Sequence, residues 1–227
     1  TCNSDIEKLV NEIEAQDSKW FGLINNAGYF NYDNGNNFRV EELQRHMSVN
    51  FIAPTLLTRA LANYIKKMTK KENRSQGFVI NILDAKIFGL NPDYYSYTLS
   101  KQAMYGLTKM SALTYASCLR VNGIAPGPFP TKGAWERLNP GDNNDDGMMS
   151  TVPLGRVGDM IELQNLATFL MADGCDYLTG QTIGIDGAQY LTGGGTFSQL
   201  DKLSDDDWEN MRKLIREANN KDKADRA

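Results

Sequence analysis

Tyr97 and Lys101 are the residues of this 227-residue sequence whose types and spacing most directly suggest chemistry. They stand four apart near the start of a predicted helix, so both side chains lie on one face within reach of a common ligand. A phenol titrates near pH ~10 and is a poor acid–base catalyst at neutral pH unless a nearby cation stabilises the phenolate. Lys101 could supply that cation. Alone the pair carries little weight, because a tyrosine and a lysine at this spacing occur by chance on many helices.

Other chemistries find less support. Asp142 to Gly147 matches the first half of an EF-hand loop, but the twelfth position is Pro153 rather than a bidentate glutamate. His46 is the sole histidine, which excludes any site needing two, and it is expected to face solvent or an interface. Cys2, Cys118 and Cys175 are odd in number, widely spaced and without a C-x-x-C pair. Neither a disulfide framework nor a zinc site is suggested, no metal is expected, and a reduced, cytoplasmic setting fits best. The net charge of −4 gives no electrostatic reason to expect nucleic acid or an anionic membrane as partner. The basic stretch from Lys66 to Arg74 is interrupted by Met68, Thr69, Glu72 and Asn73 and reads as a solvated helix end. Asn73-Arg74-Ser75 fits a glycosylation sequon but means little without a secretory signal. No apolar run approaches the ~18 residues of a membrane span.

The elements that must position Tyr97 follow from hydrophobic period. Ile6, Leu9, Val10 and Ile13 give a helix over 4–16 with Ser4 as N-cap. Residues 21–28, FGLINNAG, read as a buried strand breaking into a loop, and 29–39 as loop. A long helical pattern runs from Val40 to about Lys70, with Pro54 a kink or local start. Strands follow at 77–83, 119–125 and 182–187, with helices at 95–117 and 159–172 and an irregular segment at 128–157. Nearly all-apolar strands alternating with helices indicate a parallel sheet covered on both faces, a doubly wound α/β domain. Ligands in such sheets sit at the carboxyl ends of the strands, so the loops after Ile24, Leu83 and Ile124 should form the site.

Ordered motifs turn the weak pair into a strong one. Asn25-Asn26-Ala27-Gly28 follows a strand, Asn50 lies in the next helix, then come Tyr97-Thr98-Leu99-Ser100-Lys101 and Pro126-Gly127 with Thr131. Pro153-Leu154-Gly155-Arg156, Leu178-Thr179-Gly180-Gln181 and Asp186-Gly187 close the series. Over residues 5–190 the chain resembles the short-chain dehydrogenase/reductase family, whose fold is Rossmann-like. The resemblance implies that Tyr97 donates or accepts the substrate proton, while Lys101 lowers its pKa and holds the nicotinamide ribose. Asn50 would position a water linking Lys101 to solvent. Asn25, Asn26, Ala27 and Gly28 would line the cofactor groove, and Pro126, Gly127 and Thr131 would hold the nicotinamide. Each has a plainer reading: loop caps at Asn25 and Asn26, a solvent-facing Asn50, a strand terminator at Pro126-Gly127.

One departure matters. Where the family usually carries a serine, about thirteen residues before the tyrosine, this sequence has Asp84. A serine hydroxyl can donate to a carbonyl oxygen, whereas an ionised aspartate can only accept. The Asp, Tyr and Lys combination resembles pteridine and dihydromonapterin reductases, whose substrates carry ring N–H and amino donors and whose Asp–Tyr pair can relay a proton to a ring nitrogen. The plainer alternative is that Asp84 caps the strand end. Residues 128–138 and the tail from Gly193 resemble instead the dienoyl-CoA-reductase-like branch, with Trp135, Met148 and Met149 as candidate lining of an apolar pocket.

A complete member of the family opens with a strand, a glycine-rich turn, a helix and two more strands, and the sequence, which starts at Thr1, shows none of these. The expectation is therefore a Rossmann-like sheet missing its first three strands and its glycine-rich turn. Residues 1–192 form the partial domain, including the substrate loop 128–157, and 193–227 an extension with one helix capped at Ser204. NADP(H) is the favoured cofactor, with NAD(H) as alternative. The expected activity is hydride transfer to an unsaturated small molecule, first a pterin, then an enoyl or dienoyl thioester; a non-catalytic truncated fragment is the rival. Homodimers or homotetramers are expected through helices 40–70 and 95–117, and residues 22–26 should form an exposed apolar edge.

Overall fold

A computed structural model describes residues 3–16, 19–68, 77–130, 149–192 and 203–225. The chain divides into two compact units, Thr1–Tyr190 and Leu191–Ala227. In the first, helix α1 (Asn3–Glu14) leads into strand β1 (Gly22–Asn25). Helix α2 (Val40–Met47) passes through one wide π turn, Ser48–Ile52, into α3 (Ala53–Met68). Strand β2 (Gly77–Ile82), α4 (Tyr95–Thr114), β3 (Leu119–Pro126), α5 (Met160–Met171) and β4 (Thr182–Ile185) complete the unit. The four strands are parallel in the order β1-β2-β3-β4.

The alternation of side chains along each strand sorts the core into two faces. On one, Val79 and Val121 pair in register and are sealed with Leu119 by Leu61, Ala62 and Ile65 of α3 and Ala112 of α4. On the other, Ile80 and Ile124 lie under Leu170 of α5, flanked by Phe78, Ile82, Ile183 and Ile185. Leu61, Val79, Ile80, Leu119, Val121, Ile124 and Leu170 are fully buried, each contributing about 1.5–3 kcal/mol of transfer free energy. The sheet is thus covered on both faces, the doubly wound arrangement expected. At the β1 edge the cover thins. Ile24 stands beside Ile80 in register, yet is 44% exposed.

Several boundaries differ from those the sequence predicts. Ser4 is not the cap of α1, because Asn3 is already helical. The pattern from Val40 is interrupted at Ser48–Ile52, where the turn widens before Pro54, whose ring cannot take a place in a continuous hydrogen-bond ladder. Helix α4 stops at Thr114 and a turn carries the chain into β3. Strand β4 ends at Ile185 because Asp186 turns the chain, accepting hydrogen bonds from the Ala188 and Tyr190 amides.

In the second unit, helix α6 (Asp205–Asp225) carries the expected cap. The Asp207 amide donates to Ser204 Oγ at 3.2 Å, and the Ser204 amide and hydroxyl both donate to Asp207 Oδ2.

Candidate active site

The carboxyl ends of β1, β2 and β3 bring the predicted residues together. Leaving β2, the chain reaches Asp84, whose Oδ1 accepts the Lys86 amide at 2.7 Å and caps the 3-10 turn Ala85–Ile87. Its other oxygen, Oδ2, accepts the Tyr97 hydroxyl at 2.7 Å. Asp84 thus caps the turn through one oxygen and accepts the phenol through the other. Lys101, one turn along α4, is 6% exposed and donates through Nζ to the Ile82 carbonyl at 2.8 Å. Its ammonium lies 5.7 Å from the Tyr97 ring centre.

The electrostatics run opposite to the sequence expectation for the phenol. Burial pushes the Tyr97 hydroxyl well above its ordinary value, and the charge and hydrogen bond of Asp84 push it further. Burial first and Asp84 second set the Tyr97 shift, while Lys101 donates one hydrogen to the Ile82 carbonyl. Burial lowers Lys101 to about 8, against an upward pull from Asp84. The Tyr97 hydroxyl is thus kept protonated, donating its hydrogen bond to Asp84.

Asn50 is fully buried in the π turn, so it does not face solvent. Its amide donates to the Tyr29 carbonyl at 2.7 Å and to Ser100 Oγ at 2.9 Å, while its oxygen accepts the Tyr29 amide at 2.8 Å. Asn25 is also buried, donating to Asn81 Oδ1, and Asn81 donates to Thr108 Oγ1 of α4. The Asn25 side chain therefore ties strand ends to the helix, and the exposed part of the turn is Asn26, Ala27 and Gly28. Pro126 ends β3, and Gly127 must be glycine because a Cβ there would stand 2.6 Å from Asp186 Cβ and 2.7 Å from its Cα. Thr131, Trp135 and Met148 lie outside the described residues.

Sequence reasoning missed part of the site's wall. Phe30 stands edge-on to Tyr97 with ring centres 6.1 Å apart, Tyr94 likewise at 6.5 Å, and Tyr32 edge-on to Tyr94 at 6.0 Å. His46, expected at the surface, is fully buried, because the 29–33 loop folds over its helix; its ring lies 6.4 Å from that of Tyr97. Asp33 is buried too and caps α4, its Oδ1 accepting the Ser96 amide at 3.0 Å. The aromatic-rich run Tyr29-Phe30-Asn31-Tyr32 was the available signal.

Residues 1–188 match the family model described as Enoyl-(Acyl carrier protein) reductase, and an uncharacterized oxidoreductase of Thermotoga maritima is 30% identical over 81% of this chain and 74% of its own. The chain belongs to the short-chain dehydrogenase/reductase family. Its members are NAD(P)-dependent oxidoreductases, and the parallel sheet is this family's Rossmann-like fold. Among solved relatives, FolM alternative dihydrofolate reductase 1 of Brucella canis, complexed with NADP, matches with a TM-score of 0.69 and 29% identity over 85% of this chain and 71% of its own. A Caenorhabditis elegans protein named "Probable 2,4-dienoyl-CoA reductase" is 37% identical over 56% of this chain, which spans 42% of that relative's length. Among the described residues no helix is long and apolar enough to cross a membrane, and no group of three or more His, Cys, Asp or Glu could hold a metal.

Proposed function

We propose that this site serves an NAD(P)H-dependent reductase of an unsaturated small molecule, and that the substrate is a pterin. The observation that carries the reading is the 2.7 Å hydrogen bond from the Tyr97 hydroxyl to Asp84. A carboxylate at this place accepts N–H donors, which pterins possess and acyl carbonyls lack. Tyr97, kept protonated by burial and by Asp84, can give its proton to a ring nitrogen. Asp84 can hold the neighbouring ring N–H or exocyclic amino group, and Phe30 and Tyr94 beside Tyr97 offer aromatic surface to a planar ring. The likeness to the Brucella reductase, solved with NADP, supports both the substrate class and NADP(H) over NAD(H).

The donor set fits the nicotinamide half of such a cofactor. Lys101 spends one ammonium hydrogen on Ile82 and keeps two for ribose hydroxyls. Asn26, Ala27 and Gly28 present an exposed backbone turn on which the cofactor can lie. Pro126, Gly127 and Thr131 would hold the carboxamide. When bound, the cofactor supplies the hydride; the chain orients the acceptor and moves the proton at Tyr97 Oη.

A second reading, reduction of an enoyl or dienoyl thioester, is favoured by the nematode relative. Dihydrobiopterin, dihydromonapterin and a dienoyl thioester assayed side by side with NADPH separate the two. Turnover of a pterin, lost in Asp84→Ser, is the expected result; activity on the thioester alone, or full pterin activity in Asp84→Ser, would overturn the pterin assignment. Quenching of NADPH fluorescence on titration with the chain tests cofactor binding directly, and its absence would favour the non-catalytic alternative.

A further inference from the structure

We propose that His46 is a positioning residue that fixes the substrate-facing wall of the site, residues 29–33, against Tyr97. The wall includes Phe30, and the residues on either side of it are held from behind by buried side chains. Tyr29 gives its amide and carbonyl to Asn50, and Asn31 gives its amide to His46 Nε2 at 3.2 Å. Pinned at both flanks, Phe30 keeps its ring edge-on to Tyr97. The imidazole itself packs on Tyr29 with ring centres 4.7 Å apart and meets the Tyr97 ring edge-on, so one side chain touches both the loop and the phenol.

The partners also fix the proton. His46 Nδ1 lies 2.8 Å from the Glu42 carbonyl oxygen, which can only accept, and Nε2 faces the Asn31 amide, which can only donate. The ring must therefore carry its hydrogen on Nδ1 and offer a lone pair at Nε2. The Asn31 amide thus takes its acceptor from the fully buried His46 ring, and removing that acceptor leaves the amide to solvent. Glu42 contributes a second hold, since its carboxylate accepts the Tyr29 hydroxyl at 2.8 Å. The far end of the loop is clasped by Asp33, whose backbone oxygen accepts the Tyr95 amide at the start of α4. His46 acts through the placing of Phe30, Tyr32 and Tyr97.

Its being the sole histidine makes the test clean. In the 15N-labelled full chain, long-range 1H–15N spectra should show one imidazole, with Nδ1 protonated and Nε2 an acceptor, and the Asn31 amide should exchange slowly. In His46→Phe, which keeps a ring and loses the acceptor, exchange at Asn31 should accelerate at least about tenfold, the order of one lost hydrogen bond. His46→Gln, which restores an acceptor near Nε2, should recover most of the protection. The kinetic half rests on the pterin-reductase reading: His46→Phe should raise the KM for dihydropteridine about tenfold with kcat within about twofold and the NADPH KM unchanged, and Gln should rescue it. A ring protonated on Nε2, unchanged exchange at Asn31 in His46→Phe, or equal losses in Phe and Gln would overturn the proposal. If the chain reduces no pterin, the functional reading fails while the tautomer and exchange results still decide the role of His46.

Discussion

The chemistry of this site turns on where one carboxylate sits. Asp84 raises both of its neighbours, Tyr97 through charge and hydrogen bond and Lys101 through charge, while burial moves the two in opposite directions. Replacing Asp84 by Asn removes the charge and keeps an oxygen for the phenol. The Tyr97 titration should then fall back toward ~10 and that of Lys101 below about 8, read by ultraviolet tyrosinate absorbance and by 15N shifts of the lysine. A tyrosine curve unchanged in Asp84→Asn would mean that burial alone sets it. Lys101 also leaves a mark on stability. Its folded value of about 8 lies below its unfolded value near ~10.4, so between these pH values the unfolded chain binds more protons and stability rises with pH. The wild type should therefore gain relative to Lys101→Met as pH climbs from 8 to 10, with a slope approaching ~1.4 kcal/mol per pH unit, measured by chemical denaturation. Tyr97, Lys101 and Asp84 were legible in the sequence because their order along the chain is itself the signal. The direction of Tyr97's shift was not, because it depends on which neighbour the hydroxyl meets, and only packing decides that between Asp84 and Lys101.

At the level of elements, strands and long helices were legible because all-apolar runs and a period near 3.6 leave few alternatives. The π turn at Ser48–Ile52 was not. Its extra residue turns Asn50 inward to Tyr29 and Ser100, contacts that span 21 and 50 positions of sequence and leave no local trace. The burial of His46 was hidden for the same reason, since a polar residue on α2 looks solvent-facing until the loop closes over it. The start of α5 is held by a local device that spans only six residues. Arg156 and Glu162 form a two-pronged pair at 2.7 and 2.8 Å, and Glu162 also accepts the Asp159 amide at 2.8 Å. The Arg156 hydrogen bonds, followed by the Asp159 amide, hold the Glu162 carboxyl down at about 2. A depressed folded value means stabilisation that is present above the unfolded value near ~4.3 and lost as pH falls toward 2. The thermal midpoints of wild type and Glu162→Gln should differ at pH 6 and draw together as pH falls from about 4 through about 2. A gap that persists at low pH would assign the loss to packing of the side chain instead.

For the first unit as a whole, the question is what its apolar surfaces do in water. Two stand out. Along β1, Phe21 is 57% and Ile24 44% exposed, and within the described residues β1 has a strand neighbour on one side only. On α4, Leu99, Met110 and Leu113 are exposed, as is Ile52 in the turn before α3. The two surfaces differ in kind. An open strand edge offers unpaired backbone groups to any other chain and favours open-ended association, whereas side chains on helices favour a closed, self-complementary contact. Substitutions should therefore separate them. Ile24→Lys puts a charge on the edge, where its register partner Ile80 is already sealed by Leu170, so the core should survive and concentration-dependent light scattering should fall. Leu113→Glu leaves the edge intact and, if the chain assembles through its helices, should instead shift a discrete dimer or tetramer toward monomer in sedimentation velocity. If Ile24→Lys dissociates the discrete species and Leu113→Glu does not, the strand edge is the assembly surface and the helical faces are bystanders.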